Sequence, residues 1–185
     1  MARNYNTPFQ PYPLVSSTDV ATTDTNVAAF PVPVGGLVQQ KATNKVWRLV
    51  EFVVSPTADI DFAAALATYY IVDTNLTATA TYQVSQDFSD TGGLPAGICQ
   101  QAIDVSAHST NLFGYIQVGG ECTVTNHDTT CPIDAALSIQ GADGGTTDVA
   151  AAGEAIVGRV IDNPGATACI INLQMDGILP VEVRP

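Results

Sequence analysis

Cys122, His127 and Cys131 follow one another as C-x4-H-x3-C, and thiolate and imidazole are the ligand types that hold a tetrahedral zinc ion. The spacing departs from the short C-x2-C pair of structural zinc sites, and the segment reads as a hairpin between two strands. Three states therefore stay open for it: a metal site, a disulfide joining Cys122 to Cys131 across the hairpin, or unpaired thiols. Cys99 and Cys169 would pair only if their strands were neighbours. A cysteine nucleophile would need one of these thiols beside His108 or His127 with an orienting acid. Both histidines sit in turns rich in Ser, Thr, Asn and Asp, where a solvated loop residue is the ordinary reading.

The carboxylates are weighed in the same way. Asp59-Ile60-Asp61 puts two on one face of a strand, and Asp143 or Asp148 flanks the Gly144-Gly145 loop, so calcium is conceivable by ligand type. Turn residues facing water account for them more simply. Gly141-Ala142-Asp143-Gly144-Gly145 is no phosphate loop, because the Lys-Ser/Thr that should follow is missing and both lysines, Lys41 and Lys45, lie far upstream. Trp47, between Lys45 and Arg48, has the makings of a stacking site, but within Val-Trp-Arg-Leu-Val-Glu-Phe it reads as a core or half-buried aromatic. Asn75-Leu76-Thr77 is a glycosylation sequon by letter only. The expectation is a protein that is not an enzyme, with no catalytic residue, no metal ligand and no cofactor.

The elements that position these residues are strands. Lys45 to Val54 mixes alternation with an apolar run and ends before Pro56. Tyr69 to Val72 and Thr77 to Val84 follow, while Ala63 to Ala67 is open between a helical turn and a strand. Ile98 to Val105, Leu112 to Val118, Glu121 to Thr125, Ile133 to Ile139, Ala155 to Ile161 and Cys169 to Leu173 are separated by turn sequences such as Gly119-Gly120 and Asp162-Asn163-Pro164-Gly165. Short strands with turn signals at roughly 8 to 12 residue spacing predict an all-β barrel or sandwich. Ala150 to Gly153 is the only helix candidate in that half, and at most one turn.

Residues 1–36 form a different kind of segment. Pro8, Pro11, Pro13, Pro31 and Pro33 forbid helix, and residues 16–26 are rich in Ser, Thr and Asp. Such an extended arm has no structure of its own and needs a surface to lie on, its own body or a neighbouring subunit. Tyr5, Phe9, Tyr12 and Leu14, interleaved among the prolines, are its apolar anchors. The prolines also occupy the place of a signal-peptide apolar region, and no apolar run reaches the roughly 18 residues of a membrane span. The expectation is synthesis in a cytoplasm and buried thiols. The division expected is an arm at 1–36, a β-rich first half at 37–94 and a second β module at 95–185.

Composition narrows the function. Hydrophobic residues make up 46% of the 185 and charged residues only 13%, about half the usual share. Thr, Ser, Asn and Gln fill the polar quota, and a surface of that kind suits permanent contact with other protein. Eighteen acidic residues against six Lys and Arg give a net charge of -12, which disfavours direct binding to a phosphate backbone.

The order Ala96-Gly97-Ile98, Gly114-Tyr115-Ile116-Gln117-Val118-Gly119-Gly120, Leu137 to Gly144, Ala155-Ile156-Val157-Gly158 and Ile170-Ile171-Asn172-Leu173 resembles that of tailed-phage capsid decoration, or cement, proteins. The resemblance covers residues 95–173. It implies a small β-barrel or tulip-like module that sits on the outside of an icosahedral head as a homo-oligomer, a trimer above all. The major capsid protein is the implied partner, with no direct contact to nucleic acid or membrane, and the virion surface is the implied location after synthesis in the host cytoplasm. Two other readings compete: a tail, neck or fibre-associated virion protein, and a carbohydrate-binding or hydrolytic β-sandwich. The last would need several exposed aromatics or a carboxylate pair in a cleft, and the 7% of aromatic residues are spread thinly.

Overall fold

The computed structural model describes residues 32–40, 43–53, 62–71, 82–88, 94–105, 112–127, 131–140, 145–164 and 167–175. The chain is all-β, and ten strands occur among the described residues: β1 Leu37–Gln40, β2 Lys45–Phe52, β3 Leu66–Tyr70, β4 Gln83–Ser85, β5 Leu94–Cys99, β6 Leu112–Thr125, β7 Ala136–Ile139, β8 Thr147–Val149, β9 Gly158–Asp162 and β10 Ala168–Gln174. Five of them close a barrel in the order β2-β4-β3-β5-β6 and back to β2. All the ladders are antiparallel except β2 with β4, where Glu51 lies opposite Gln83 and Phe52 opposite Val84. β10, β9, β7 and β8 continue outward from β6. They curl back on it, for a parallel bridge joins Thr147 of β8 to Asn126 at the end of β6, and the His127 amide donates to Thr147 O at 2.8 Å.

β6 is the strand on which both rings are built. The glycine pair at 119 and 120 reads as a separator in the sequence, yet Leu112–Thr125 is one strand of 14 residues. The pair changes the strand's partner instead of ending it: residues 112–119 lie against β2, and residues 119–125 lie against β10. At the changeover the register with β2 slips between Val46 and Trp47, leaving Val118 as the extra residue of a bulge. Gly120 takes φ +81°, and a Cβ there would lie 2.4 Å from the carbonyl oxygen of Asn44 in the β1–β2 turn. Only glycine permits both the left-handed conformation and this approach. The buried Gln117 amide pins the bend, donating to Gly119 O at 3.0 Å and Glu121 O at 2.7 Å.

Even-numbered residues of β6 line the interior on both sides of the bend. Leu112, Ile116 and Val118 enter a first core with Val46, Val50, Phe52, Phe62, Val84, Ala96 and Cys99, in which the Phe52 and Phe62 rings meet edge to face at 4.7 Å. Cys122 and Val124 enter a second core with Leu137, Val157, Val160, Cys169, Ile171 and Leu173. The β3–β5 wall faces both. Tyr69, Ala67 and Ile98 point to the second core, whereas Ala96 and Cys99 point to the first and Tyr70 packs against it. A strand covered on both faces loses the apolar-polar alternation of a half-buried one, and the burial along β5 is accordingly continuous from Ala96 to Cys99.

The alanine segment before β3 is a turn entering a strand: Ala65 has φ 63°, and Ala67 is already in the ladder. The expected strands at 98–105 and 155–161 shift to β5 and β9, and Ile103 keeps only a bridge to Phe62. The start of the expected second module at residue 95 falls inside β5, which pairs with β3 of the first barrel. Residues 1–31 and 72–81, with most of the arm and most of the Thr77 to Val84 expectation, lie outside the described residues.

Two glycines separate conformation from contact. Gly153 has φ +87° with open space within 4 Å of the point where a side-chain methyl would stand, whereas Gly120 has the same backbone sign and the Asn44 carbonyl in the way. We expect Gly153→Ala to cost about 1 kcal/mol, from backbone conformation alone. Gly120→Ala is expected to cost about 2 kcal/mol more through displacement of the β1–β2 turn. Urea unfolding of the two variants checks this, and equal losses would show that the bend does not depend on the close approach.

Candidate binding surface at the mouth of the first barrel

At one end of the first barrel three long side chains converge from three strands and turns. Arg48 on β2 donates through Nη1 to the hydroxyl of Tyr70 on β3, and its guanidinium carbon lies 5.8 Å from the centre of the Tyr82 ring. The Tyr70 and Tyr82 rings stand 6.0 Å apart at 66°, the edge-to-face arrangement that their quadrupoles favour. Tyr82 is held in a left-handed backbone conformation, φ 66°, immediately before β4. Gly35 lies flat against its ring: a Cβ on Gly35 would sit 2.1 Å from Tyr82 Cε2. The Gly35 amide in turn donates to Leu49 O at 2.7 Å, and the Glu51 amide to Tyr82 O at 3.1 Å.

Two leucines extend this cluster. Leu37 lies opposite Arg48 in the β1–β2 ladder and Leu94 opposite Tyr70 in the β3–β5 ladder, and cross-strand partners share a face. Leu94 is 53% exposed, and Leu37 and Tyr82 are exposed as well. The mouth is therefore an apolar and aromatic surface carrying one guanidinium. Gln83 Nε2 donates to Glu51 Oε2 at 3.0 Å next to it. The arrangement offers aromatic and apolar faces with a guanidinium held among them.

The residues singled out in the sequence do not meet there. Tyr5, Phe9, Tyr12 and Leu14, the expected arm anchors, lie outside the described residues, as do His108, Asp59, Asp61 and Asp143. Cys122 and Cys131 are both buried in the second core, and the disulfide weighed for them is not formed; Cys99 and Cys169 are buried and outside any disulfide too. His127 is exposed while its cysteine neighbours are buried, and no group of three metal-binding side chains occurs among the described residues. Asp148 uses its Oδ1 to accept the Val149 amide, and Trp47 is a buried aromatic of β2, as the strand pattern indicates. Ser138 donates to Glu154 Oε2 at 2.7 Å, and the Ala151 amide donates to the same oxygen at 2.8 Å. The backbone bond first, and the serine bond after it, hold the Glu154 carboxyl below the usual carboxylate range and tie a turn to β7.

Burial decides the chemistry of the thiols. Desolvation pushes both Cys99 and Cys122 up to about 12, the Lys45 charge only partly offsetting it at Cys122, so neither presents a thiolate nucleophile at neutral pH. Sequence reasoning weighs Arg48 only beside Trp47 and misses its meeting with Tyr70 and Tyr82, because the three stand at separate places in the chain. The one available signal is a Tyr-Tyr pair and a lone Tyr in strand-like surroundings, which core packing explains equally well. Comparison of the chain with protein-family models, curated proteins and solved structures finds no match.

The raised thiol values predict an alkaline loss of stability. Between about pH 9 and 12 the unfolded thiols ionise while Cys99 and Cys122 stay protonated in the fold. The unfolded state then binds fewer protons, and stability falls as pH rises, by up to about 1.4 kcal/mol per unit for each thiol. Urea unfolding from about pH 8 to 10.5 measures the slope, and Cys99→Ala/Cys122→Ala should flatten it. Below about pH 9 neither thiol should react with a soluble disulfide reagent until the chain unfolds; fast labelling of the native protein would contradict the burial.

Proposed function

We propose that this chain is a structural virion protein, a cement protein that binds the outer surface of an icosahedral phage capsid and stabilises contacts between neighbouring capsomers. The observation that carries the reading is the coincidence of the resembling stretch with one continuous structural run. Residues 95–173 span β5 to β10, linked strand to strand from β5 through β6, β10, β9 and β7 to β8. This run supplies most of the second core, to which β3 adds Ala67 and Tyr69.

The outer side of the run offers a specific contact. Ile133 is 69% exposed and Ile161 is exposed beside it, since the Asp134 amide donates to Val160 O at 2.8 Å. Two β-branched side chains on adjacent backbone, on a chain with 13% charged residues, suit an interface whose centre is apolar and uncharged. Copies of the chain in a trimer and the major capsid protein are the partners. The net charge of -12 argues against contact with the packaged nucleic acid. Among the described residues no helix is long and apolar enough to cross a membrane.

Cryo-electron microscopy of particles carrying the chain tests the reading: density on the head surface at junctions between capsomers is expected. Density confined to tail or neck would move the assignment to another virion part, and a chain that never associates with particles would overturn it. In the same particles, Ile133→Asp and Ile161→Asp should each weaken retention on the shell by about tenfold or more. Both positions are solvent-exposed in the chain, so thermal unfolding of the free protein should change little.

A further inference from the structure

We infer that the mouth of the first barrel is the receptor for the segment Pro8-Phe9-Gln10-Pro11-Tyr12-Pro13 of the chain's own arm. Three of the five large hydrophobic side chains exposed among the described residues, Leu37, Tyr82 and Leu94, gather at this mouth, and the other two, Ile133 and Ile161, lie on the second ring. Here they frame two tyrosine rings and a guanidinium, an apolar surface with planar aromatic faces.

The arm offers the complementary chemistry. Pro8-x-x-Pro11 followed by Pro13 favours the polyproline II conformation, whose backbone carbonyls have no internal partner and whose ordering costs little entropy. Aromatic-lined grooves take such segments, whose preformed conformation lets proline rings pack on aromatic faces. Residues 4–18 contain no charged side chain, so docking desolvates no charge of the arm. Phe9 and Tyr12 add apolar area on either side of Pro11.

The connection also fits. The described chain begins at Val32, and three residues later Gly35 is pressed against the Tyr82 ring, so the arm joins the body at the rim of the mouth. Residues 14–31 are 18 in number and reach at most about 60 Å when extended. That is enough to bring residues 8–13 to the mouth of the same copy or of an adjoining one, at an effective concentration on the order of millimolar within a chain. Docking of the arm is independent of the capsid reading. It concerns the purified protein, so its failure and the failure of shell binding are separate results.

The test uses the full chain without virions. Chymotrypsin cuts after aromatic residues not followed by proline, and cleavage after Tyr5 and Phe9 is followed by mass spectrometry. We expect it to be about tenfold slower in the wild type than in Tyr82→Ala or Leu94→Ala, because protection tracks the docked fraction. The triple variant Pro8→Ala/Pro11→Ala/Pro13→Ala leaves the barrel intact, so its NMR spectrum keeps the result from being a folding effect: resonances of Leu37, Tyr70, Tyr82 and Leu94 should shift, and those of Ile133 and Ile161 should not. Equal cleavage rates in wild type and variants, or mouth resonances unmoved by the proline substitutions, would overturn the inference.

Discussion

The bend at Gly119 and Gly120 is the constraint from which the architecture follows. A straight strand of 14 residues would run out past the barrel it helps to close, exposing the apolar side chains of its far half. The bulge at Val118 and the left-handed Gly120 turn that half onto β10, so the same even-numbered face serves a second core. The first barrel and the outer ring then share a wall and cannot be separated without unpairing β6. The added cross-ties have the same effect: the Thr125 amide donates to Ala65 O, the Ala67 amide to Gly145 O, and the Tyr69 hydroxyl to Gln140 O. Each joins an element of the first barrel, or its entry turn, to the second ring.

Strands are legible in the sequence, and ring closures are not. β2 and β10 stand close to the expected runs because their apolar residues alternate or cluster over a length typical of strands. β8 has no counterpart among the expected strands: Thr-Asp-Val is three residues long and carries no period, and its place is set by Asn126 and Leu137, distant in sequence. The glycine pair misleads for a different reason. Two adjacent glycines mark a turn in most contexts, and nothing local distinguishes a turn that ends a strand from a bend that redirects one. What decides it here is the carbonyl of Asn44, more than 70 residues upstream.

The mouth cluster shows the same limit more sharply. In the sequence Arg48 is one polar position of a strand, and Tyr82 belongs to a half-buried or edge strand. Their meeting depends on two facts: the parallel pairing of β2 with β4, and the Gly35 backbone that fills the space behind the Tyr82 ring. Neither has a local signature. The cysteines are easier, because burial of sparse thiols is what their scarcity and apolar strand neighbours suggest, and the structure adds only which core each one enters.

The abundance of Thr, Gln and Asn has a second use beyond the surface role that composition suggests. The Gln86 amide donates to Ala63 O and accepts the Ala63 amide, so one side chain stands in for a strand at a place where the ladder has none. Gln117 does so at the bend, Thr68 donates to Gly97 O inside the β3–β5 wall, and Thr147 to Thr125 O at the closure of the second ring. A buried backbone carbonyl must find a donor, and two rings sharing a wall leave many strand ends pointing inward. Neutral side chains meet that need at a far smaller desolvation cost than lysine or arginine would. The low charge of this chain is thus partly a requirement of its interior: at the β6 bend, at the entry to β3 and at the closure of the second ring, a side-chain amide or hydroxyl makes a hydrogen bond that no strand supplies.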